Sequence, residues 1–167
     1  MINFSLVDNI NAVNKVSKLA DIIWNEHYLP IIGKEQVLYM LNKFQSEDAI
    51  KQQINQGYKY YIIIDNQVEA GYFSVQYRPA KLFLSKFYIL KSFRGKGIGK
   101  QGIEFIKKTF SNSTIQLTVN KNNSDSIAFY RNVSFQIIDN VVVDIGCGFV
   151  MDDYIMEISS FDNVSKR

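Results

Sequence analysis

The chain holds one cysteine (Cys147), one histidine (His27) and two prolines. A lone cysteine excludes an internal disulfide framework and fits a reducing compartment. One histidine and one cysteine make a poor transition-metal site, because zinc takes three or four His, Cys or acidic ligands. No metal is expected. No apolar run reaches the roughly 18–20 residues that span a bilayer. The opening Met1-Ile2-Asn3-Phe4-Ser5 lacks the basic start and long apolar stretch of a signal peptide. A cytoplasmic protein without a membrane partner is therefore expected. Repeats, low-complexity stretches and Pro/Gly/Ser linkers are also missing. One domain over 1–160 is the simplest organisation, with a polar tail, 161–167, expected to fray.

What is present is ordinary globular material: 167 residues, 47% hydrophobic and 21% charged. That length can bury a real core. The net charge is only +3, but its distribution is uneven. No acidic residue falls between Ala70 and Ile103. That stretch holds Arg78, Lys81, Lys86, Lys91, Arg94, Lys96 and Lys100, so it carries +7 and the remainder −4. A local basic field suits a phosphate-bearing ligand; the alternative is a solvated basic face.

Residues 2–7 alternate as a strand. Val13, Val16, Leu19, Ala20 and Ile23 recur at helical spacing, with Pro30 as the expected stop. Val37, Met40, Leu41 and Phe44 mark a second helix, and Ser46 with Glu47 and Asp48 opens a third that Gly57 can close. Tyr58–Ile64, Val68–Tyr77 and Leu82–Leu90 then read as an antiparallel meander. A glycine-rich basic segment leads into a helix ending near Phe110. A strand from Thr114 to Val119, a helix from Asn123 to Val133 and two strands near 135–145 and 149–158 complete the chain. The strand–helix–strand unit from Leu82 to Val119 requires a parallel crossover. The expected fold is α/β (α+β): a mixed, mostly antiparallel sheet of six to seven strands with flanking helices. The terminal strands offer a surface for pairing two copies.

Four of the nine glycines fall between Gly95 and Gly102, where a strand hands over to a helix. A helix N-terminus presents unpaired N–H groups and a positive dipole end, which together favour an anion. Three phosphate-binding patterns compete. The ATP pattern G-x-x-x-x-G-K-[ST] fails, because Gln101 follows Lys100 and Arg94 stands where its first glycine belongs. The dinucleotide pattern is matched by Gly97, Gly99 and Gly102, but the acidic residue expected about 20 positions later is absent. The third, R-x-x-G-x-G, is matched by Arg94, Gly97 and Gly99. A second block follows: Val119-Asn120, then Asn123-Ser124-Asp125-Ser126-Ile127-Ala128-Phe129-Tyr130, then Phe135. The two blocks, spanning Leu84 to Phe135 in this order, resemble the GNAT superfamily of N-acetyltransferases. Three positions depart from the family's usual pattern. Ser134 replaces a glycine, Gly102 stands where a bulkier apolar residue is common, and Lys91 where proline is common.

The resemblance implies a GNAT-like acyl-CoA N-acyltransferase fold, acetyl-CoA as co-substrate and direct acyl transfer to an amine in a ternary complex. It implies that the backbone of Phe87, Tyr88 and Ile89 pairs with the pantetheine, with the Ile89 N–H near the thioester oxygen. Arg94, Gly95, Lys96, Gly97, Ile98, Gly99 and Lys100 would hold the pyrophosphate. Asn123, with Ser126 in the same block, would meet the pantetheine arm, and Tyr130 would protonate the leaving sulfur. In this family the first helices form the acceptor wall, which points to His27, Tyr28 and Tyr39. Residue type alone offers Glu26, His27, Glu35 and Glu69 as bases. The acceptor is expected to be a small-molecule or peptide amine. A CoA-binding regulatory or scaffold module without turnover is the competing class. Nucleic acid is not expected, since strand periodicity places Phe83, Phe87 and Tyr88 in the sheet.

Overall fold

The structure, a computed structural model, describes residues 1–110 and 114–159. The tail expected to fray, 161–167, lies outside the described residues. The elements are β1 (Ile2–Leu6), α1 (Ile10–His27), α2 (Leu29–Ile32), α3 (Lys34–Phe44), α4 (Glu47–Asn55), β2 (Lys59–Asp65), β3 (Val68–Arg78), β4 (Lys81–Ile89), a 3₁₀ turn (Lys91–Phe93), α5 (Ile98–Thr109), β5 (Thr114–Asn120), α6 (Ser124–Asn132), β6 (Gln136–Gly146) and β7 (Phe149–Ile158). The strands follow the order β1-β2-β3-β4-β5-β7-β6 in one seven-stranded sheet. β4 and β5 are parallel as the crossover requires, pairing Lys81–Phe83 with Thr114–Gln116. The pairs β1–β2, β2–β3, β5–β7 and β6–β7 are antiparallel. Two elements are not anticipated by the sequence, α2 and the 3₁₀ turn. Pro30 ends α1 but also sits in the first turn of the next helix, where its missing N–H and fixed φ do no harm.

The described chain divides into two compact units. The first comprises 1–76 and 85–102, the second 77–84 and the chain from 103 onward. In the first, the Asn9 side chain caps α1 through the Ala12 N–H at 2.9 Å, and Ser46 caps α4 through Ala49 at 3.2 Å. α1 buries Val13, Val16, Leu19, Ala20, Ile23 and Trp24, the stripe its periodicity predicts. The β2–β3 turn, Asn66-Gln67, has positive φ at both positions, the geometry of a two-residue hairpin. Opposite it, the register slips between Ile63 and Ile64, so Ala70 is the extra residue of a bulge. Gly71 follows. A Cβ there would lie 2.1 Å from the Tyr88 carbonyl oxygen, so only glycine allows this backbone approach.

In the second unit, β5, β7 and α6 bury Ile115, Leu117, Val119, Met156, Ile158, Ile127 and Phe135. β6 and β7 meet at Cys147-Gly148, again with positive φ at both turn residues. Cys147 is free and exposed at that tip.

Candidate active site

In the first unit, β4 runs into the basic loop. The Leu90 N–H donates to the Ala70 carbonyl at 2.8 Å, and the chain then makes its 3₁₀ turn. Gly95 and Gly97 both take left-handed φ, +74° and +76°, with nothing near their missing Cβ atoms. Glycine is needed here for conformation and not for space. α5 then begins at Ile98, which is buried. The Gln101 N–H donates to the Gly97 carbonyl at 3.2 Å. The amides of Ile98, Gly99 and Lys100 thus belong to the first turn, which has no intrahelical acceptor for them. Lys91, Arg94, Lys96 and Lys100 are exposed around this end.

The basic stretch is not one uniform field. Lys86 points inward and is buried, Lys81 pairs with Glu157 at 3.1 Å, and Arg78 lies over the Phe83 ring at 3.7 Å. Arg94 is held by two partners. Its Nε donates to the Ile89 carbonyl at 2.9 Å, and its Nη1 lies 3.2 Å from His27 Nδ1. A guanidinium cannot accept, so Nδ1 is the acceptor and the ring hydrogen of neutral His27 sits on Nε2. One residue earlier, the Glu26 carboxylate accepts from the Lys91 N–H at 3.2 Å. The C-terminal turn of α1 is therefore bonded twice to the basic loop.

Tyr88 joins an aromatic cluster with Trp24, Tyr28 and Tyr72, at centroid distances of 5.8, 6.1 and 5.4 Å. Tyr28 stacks on Trp24 at 4.3 Å. The structure thus brings together His27, Tyr28, Tyr88, Ile89 and Arg94. Phe87 packs on Phe73 at 6.0 Å. Tyr39 is placed differently, its hydroxyl accepting from Lys43 at 3.0 Å on α3. Of the carboxylates considered as bases, Glu69 is tied to Lys15 at 2.6 Å, and that hydrogen bond holds its carboxyl below the usual range. Glu35 is exposed in the first turn of α3.

In the second unit, Asn123 is buried and caps α6, its Oδ1 accepting from the Ser126 N–H at 3.3 Å. The other end of α6 explains the spacing of the second block. The Phe135 N–H donates to the Tyr130 carbonyl at 2.9 Å and the Ser134 N–H to Arg131 at 3.0 Å. Tyr130 and Phe135 rings lie 5.5 Å apart. These are the paired bonds and the apolar contact of a Schellman motif. Tyr130 is fixed as its third-from-last helical residue, 8% exposed.

Residues 28–155 match the acetyltransferase (GNAT) domain family. The chain belongs to that family. A GNAT enzyme transfers an acetyl group from acetyl-CoA to an amine, and this is the activity of the chain. No curated protein matches it in sequence. Among solved structures it is similar to the PaiA N-acetyltransferase of Thermoplasma acidophilum in complex with coenzyme A, at TM-score 0.76 and 20% identity over 95% of this chain and 99% of that one. It is also similar to the ribosomal-protein-S18-alanine N-acetyltransferase of Escherichia coli, at 0.69 and 14% over 95% and 94%. A third is Arabidopsis thaliana Naa50 in complex with the bisubstrate analogue CoA-Ac-MVNAL, at 0.66 and 17% over 95% and 98%. Among the described residues no group of His, Cys, Asp and Glu could hold a metal ion, and no helix is long and apolar enough to cross a membrane.

Each departure from the usual GNAT pattern has a physical counterpart. Ser134 adopts φ +77°, the left-handed conformation that glycine would take at lower energy. At Gly102 a Cβ would lie 2.8 Å from the Phe87 ring, so the helix approaches β4 more closely than a larger residue permits. Lys91 supplies the N–H that Glu26 accepts, which proline lacks. One buried carboxylate, Asp153 on β7, is not among the site residues that the sequence suggests. Burial first and Asp152 second raise its pKa to about 6, against hydrogen bonding from Thr118 and the charge of Lys121. The signal was present: two adjacent acids on an alternating strand cannot both face solvent.

Proposed function

We propose that this protein acetylates a primary amine of a small molecule or peptide, the amine attacking the acetyl-CoA thioester directly in a ternary complex. The observation that carries this is the loop from Arg94 to Gly97, with its two left-handed glycines, leading into the first turn of α5. That turn offers oriented N–H groups to the pyrophosphate, and Lys96 and Lys100 add charge. In this reading the backbone of Phe87, Tyr88 and Ile89 receives the pantetheine as an added strand, and the Ile89 N–H stabilises the developing oxyanion. Asn123 bonds the pantetheine arm. As the C–N bond forms and the C–S bond breaks, the Tyr130 hydroxyl protonates the thiolate. His27 and Tyr28 line the acceptor side. With Nδ1 engaged by Arg94, His27 serves as a wall and not as a base. The protein acts in the cytoplasm, where its exposed Cys147 stays reduced.

The test is free-thiol release from acetyl-CoA across a panel of primary amines and N-terminal peptides, run beside calorimetric CoA binding. Amine-dependent release is expected. Tyr130→Phe should lower kcat by about 100-fold while CoA affinity holds. Tight CoA binding without release on any amine would establish the non-catalytic module instead.

A further inference from the structure

Ile89 is fixed from both sides. A Cβ at Gly71 of β3 would lie 2.1 Å from the Tyr88 carbonyl oxygen and 3.1 Å from its carbon, so that C=O bond points at Gly71. The 88–89 peptide is trans, so its other polar group, the Ile89 N–H, points the opposite way. In the next peptide the Leu90 N–H donates to the Ala70 carbonyl at 2.8 Å, which turns the Ile89 carbonyl away from β3 as well. There it accepts from Arg94 Nε at 2.9 Å. The N–H and C=O of Ile89 thus face one side, and Arg94 stands on that side. Among the described residues β5 pairs with β4 only over Lys81–Phe83, so that ladder ends before Ile89.

The local chain explains how Arg94 reaches back to Ile89. In the 3₁₀ turn the Phe93 N–H donates to the Leu90 carbonyl at 2.9 Å and the Arg94 N–H to the Lys91 carbonyl at 3.2 Å, which folds residue 94 back over the end of β4. Its guanidinium then spans Ile89 and His27, a bridge that needs a planar fork and not a point charge. Gly71 acts from the opposite side. A methyl there would push the 88–89 peptide back by about 1 Å to restore ordinary contact. A hydrogen bond to a developing oxyanion tolerates no such displacement, because the donor must sit about 2.7–3.1 Å from where the charge forms.

We propose that Gly71 and Arg94 are positioning residues that aim the Ile89 N–H at the thioester oxygen. The proposal rests on the acetyl-transfer function above and deepens it. As the amine's electron pair forms the C–N bond, the carbonyl's π pair moves onto oxygen, and it returns as the C–S bond breaks. The Ile89 N–H meets the charge that develops in between. Gly71 sets the direction of that N–H by admitting the Tyr88 carbonyl, and Arg94 steadies the strand end by holding the next carbonyl. Nε keeps this bond whichever acceptor the Nη groups take, His27 or a phosphate oxygen. The role belongs to the shape of the side chain and not to its charge alone, which separates Arg94 from Lys96 and Lys100.

The experiment uses the full chain with Arg94→Lys and Gly71→Ala. CoA affinity is measured by calorimetry, and thiol release with a responsive primary amine is resolved into kcat and the amine KM. Labelling the tyrosine carbonyl carbon and the isoleucine nitrogen restricts a correlated amide spectrum to Ile62, Ile89 and Ile155, and Ile89→Val assigns the Ile89 signal by its loss. In the wild type that signal should differ between the acetyl-CoA and CoA complexes, since only the first has a thioester oxygen. Arg94→Lys should bind CoA within about threefold of wild type, keep the amine KM within about twofold, and lower kcat by about 10-fold. The difference at Ile89 should shrink with it. Gly71→Ala should lower kcat by about 100-fold. Should Gly71→Ala fail to fold, Arg94→Lys, a change at an exposed position, still decides. A wild-type kcat and a wild-type difference at Ile89 in Arg94→Lys would overturn the proposal. So would weaker CoA binding with kcat intact, the mark of a phosphate charge only. A wild type that releases no thiol on any amine sinks the parent function and this role together. Wild-type turnover with an unimpaired Arg94→Lys sinks this role alone.

Discussion

Among the described residues, each compact unit buries one acidic or basic side chain, and the two are treated in opposite ways. In the first, Lys86 of β4 is 6% exposed and sends its ammonium to the Phe44 carbonyl and the Gln53 Oε1, both at 2.7 Å, and to the Tyr60 hydroxyl. Three acceptors match its three hydrogens. In the second, Asp153 is as deeply buried but leaves one oxygen unpartnered. Desolvation disfavours the charged form of both: it lowers Lys86 to about 7 and raises Asp153 to about 6. The shifts alone do not separate a fully hydrogen-bonded group from a partly bonded one. Completeness of hydrogen bonding does. Lys86 ties the end of α3, α4 and β2 to β4, whereas Asp153 leaves an acceptor unused.

The sharpest break in this comparison is to remove each side chain's polarity. Lys86→Met removes three buried hydrogen bonds and should destabilise the fold by about 3 kcal/mol, read by urea unfolding. Asp153→Asn should leave stability nearly unchanged. Equal losses of stability would erase the distinction. The pH dependence should also differ in sign. Between about pH 7 and the ordinary lysine pKa near 10.5, the unfolded chain holds the Lys86 proton and the folded chain does not, so stability should rise with pH. Between the ordinary aspartate value of 3.8 and about 6, the folded chain holds the Asp153 proton and the unfolded chain does not, so stability should fall as pH rises. Lys86→Met should flatten the upper window and Asp153→Asn the lower. Glycines give a smaller contrast within the first unit. Gly102→Ala drives a methyl into the Phe87 ring and should cost about 1–3 kcal/mol by overpacking. Gly97→Ala meets open space and should cost about 1–2 kcal/mol of backbone strain alone. The smallest effect belongs to the second unit. Ser134→Gly should relieve φ +77° and stabilise by about 1 kcal/mol, a Tm rise of about 2–4 °C by calorimetry.

Period and punctuation made most of the element order legible. The alternating meander, the Ser46 cap and the helical stripe of α1 are local signals, and the structure follows them. α2 was missed because Pro30 reads equally as a stop and as a first-turn residue. Lys86 belongs by sequence to the basic stretch, although Leu82 and Leu84, its same-parity neighbours, are buried. The pattern that gave those leucines to the core also gave it the lysine. The bonds of Arg94 to His27 and of Lys91 to Glu26 could not be read at all. They join positions 67 and 65 residues apart, and no local pattern encodes such distances.

The bond between Arg94 and the chain's single histidine gives the protein a built-in gauge. One imidazole yields one set of ring C–H signals in a proton spectrum, free of overlap from other histidines. Their positions depend on where the ring hydrogen sits, and Arg94 now holds it on Nε2. A phosphate ester that draws the guanidinium away releases Nδ1 and moves those signals. Occupancy of the loop can thus be titrated on the unmodified protein, with no amine present and no turnover.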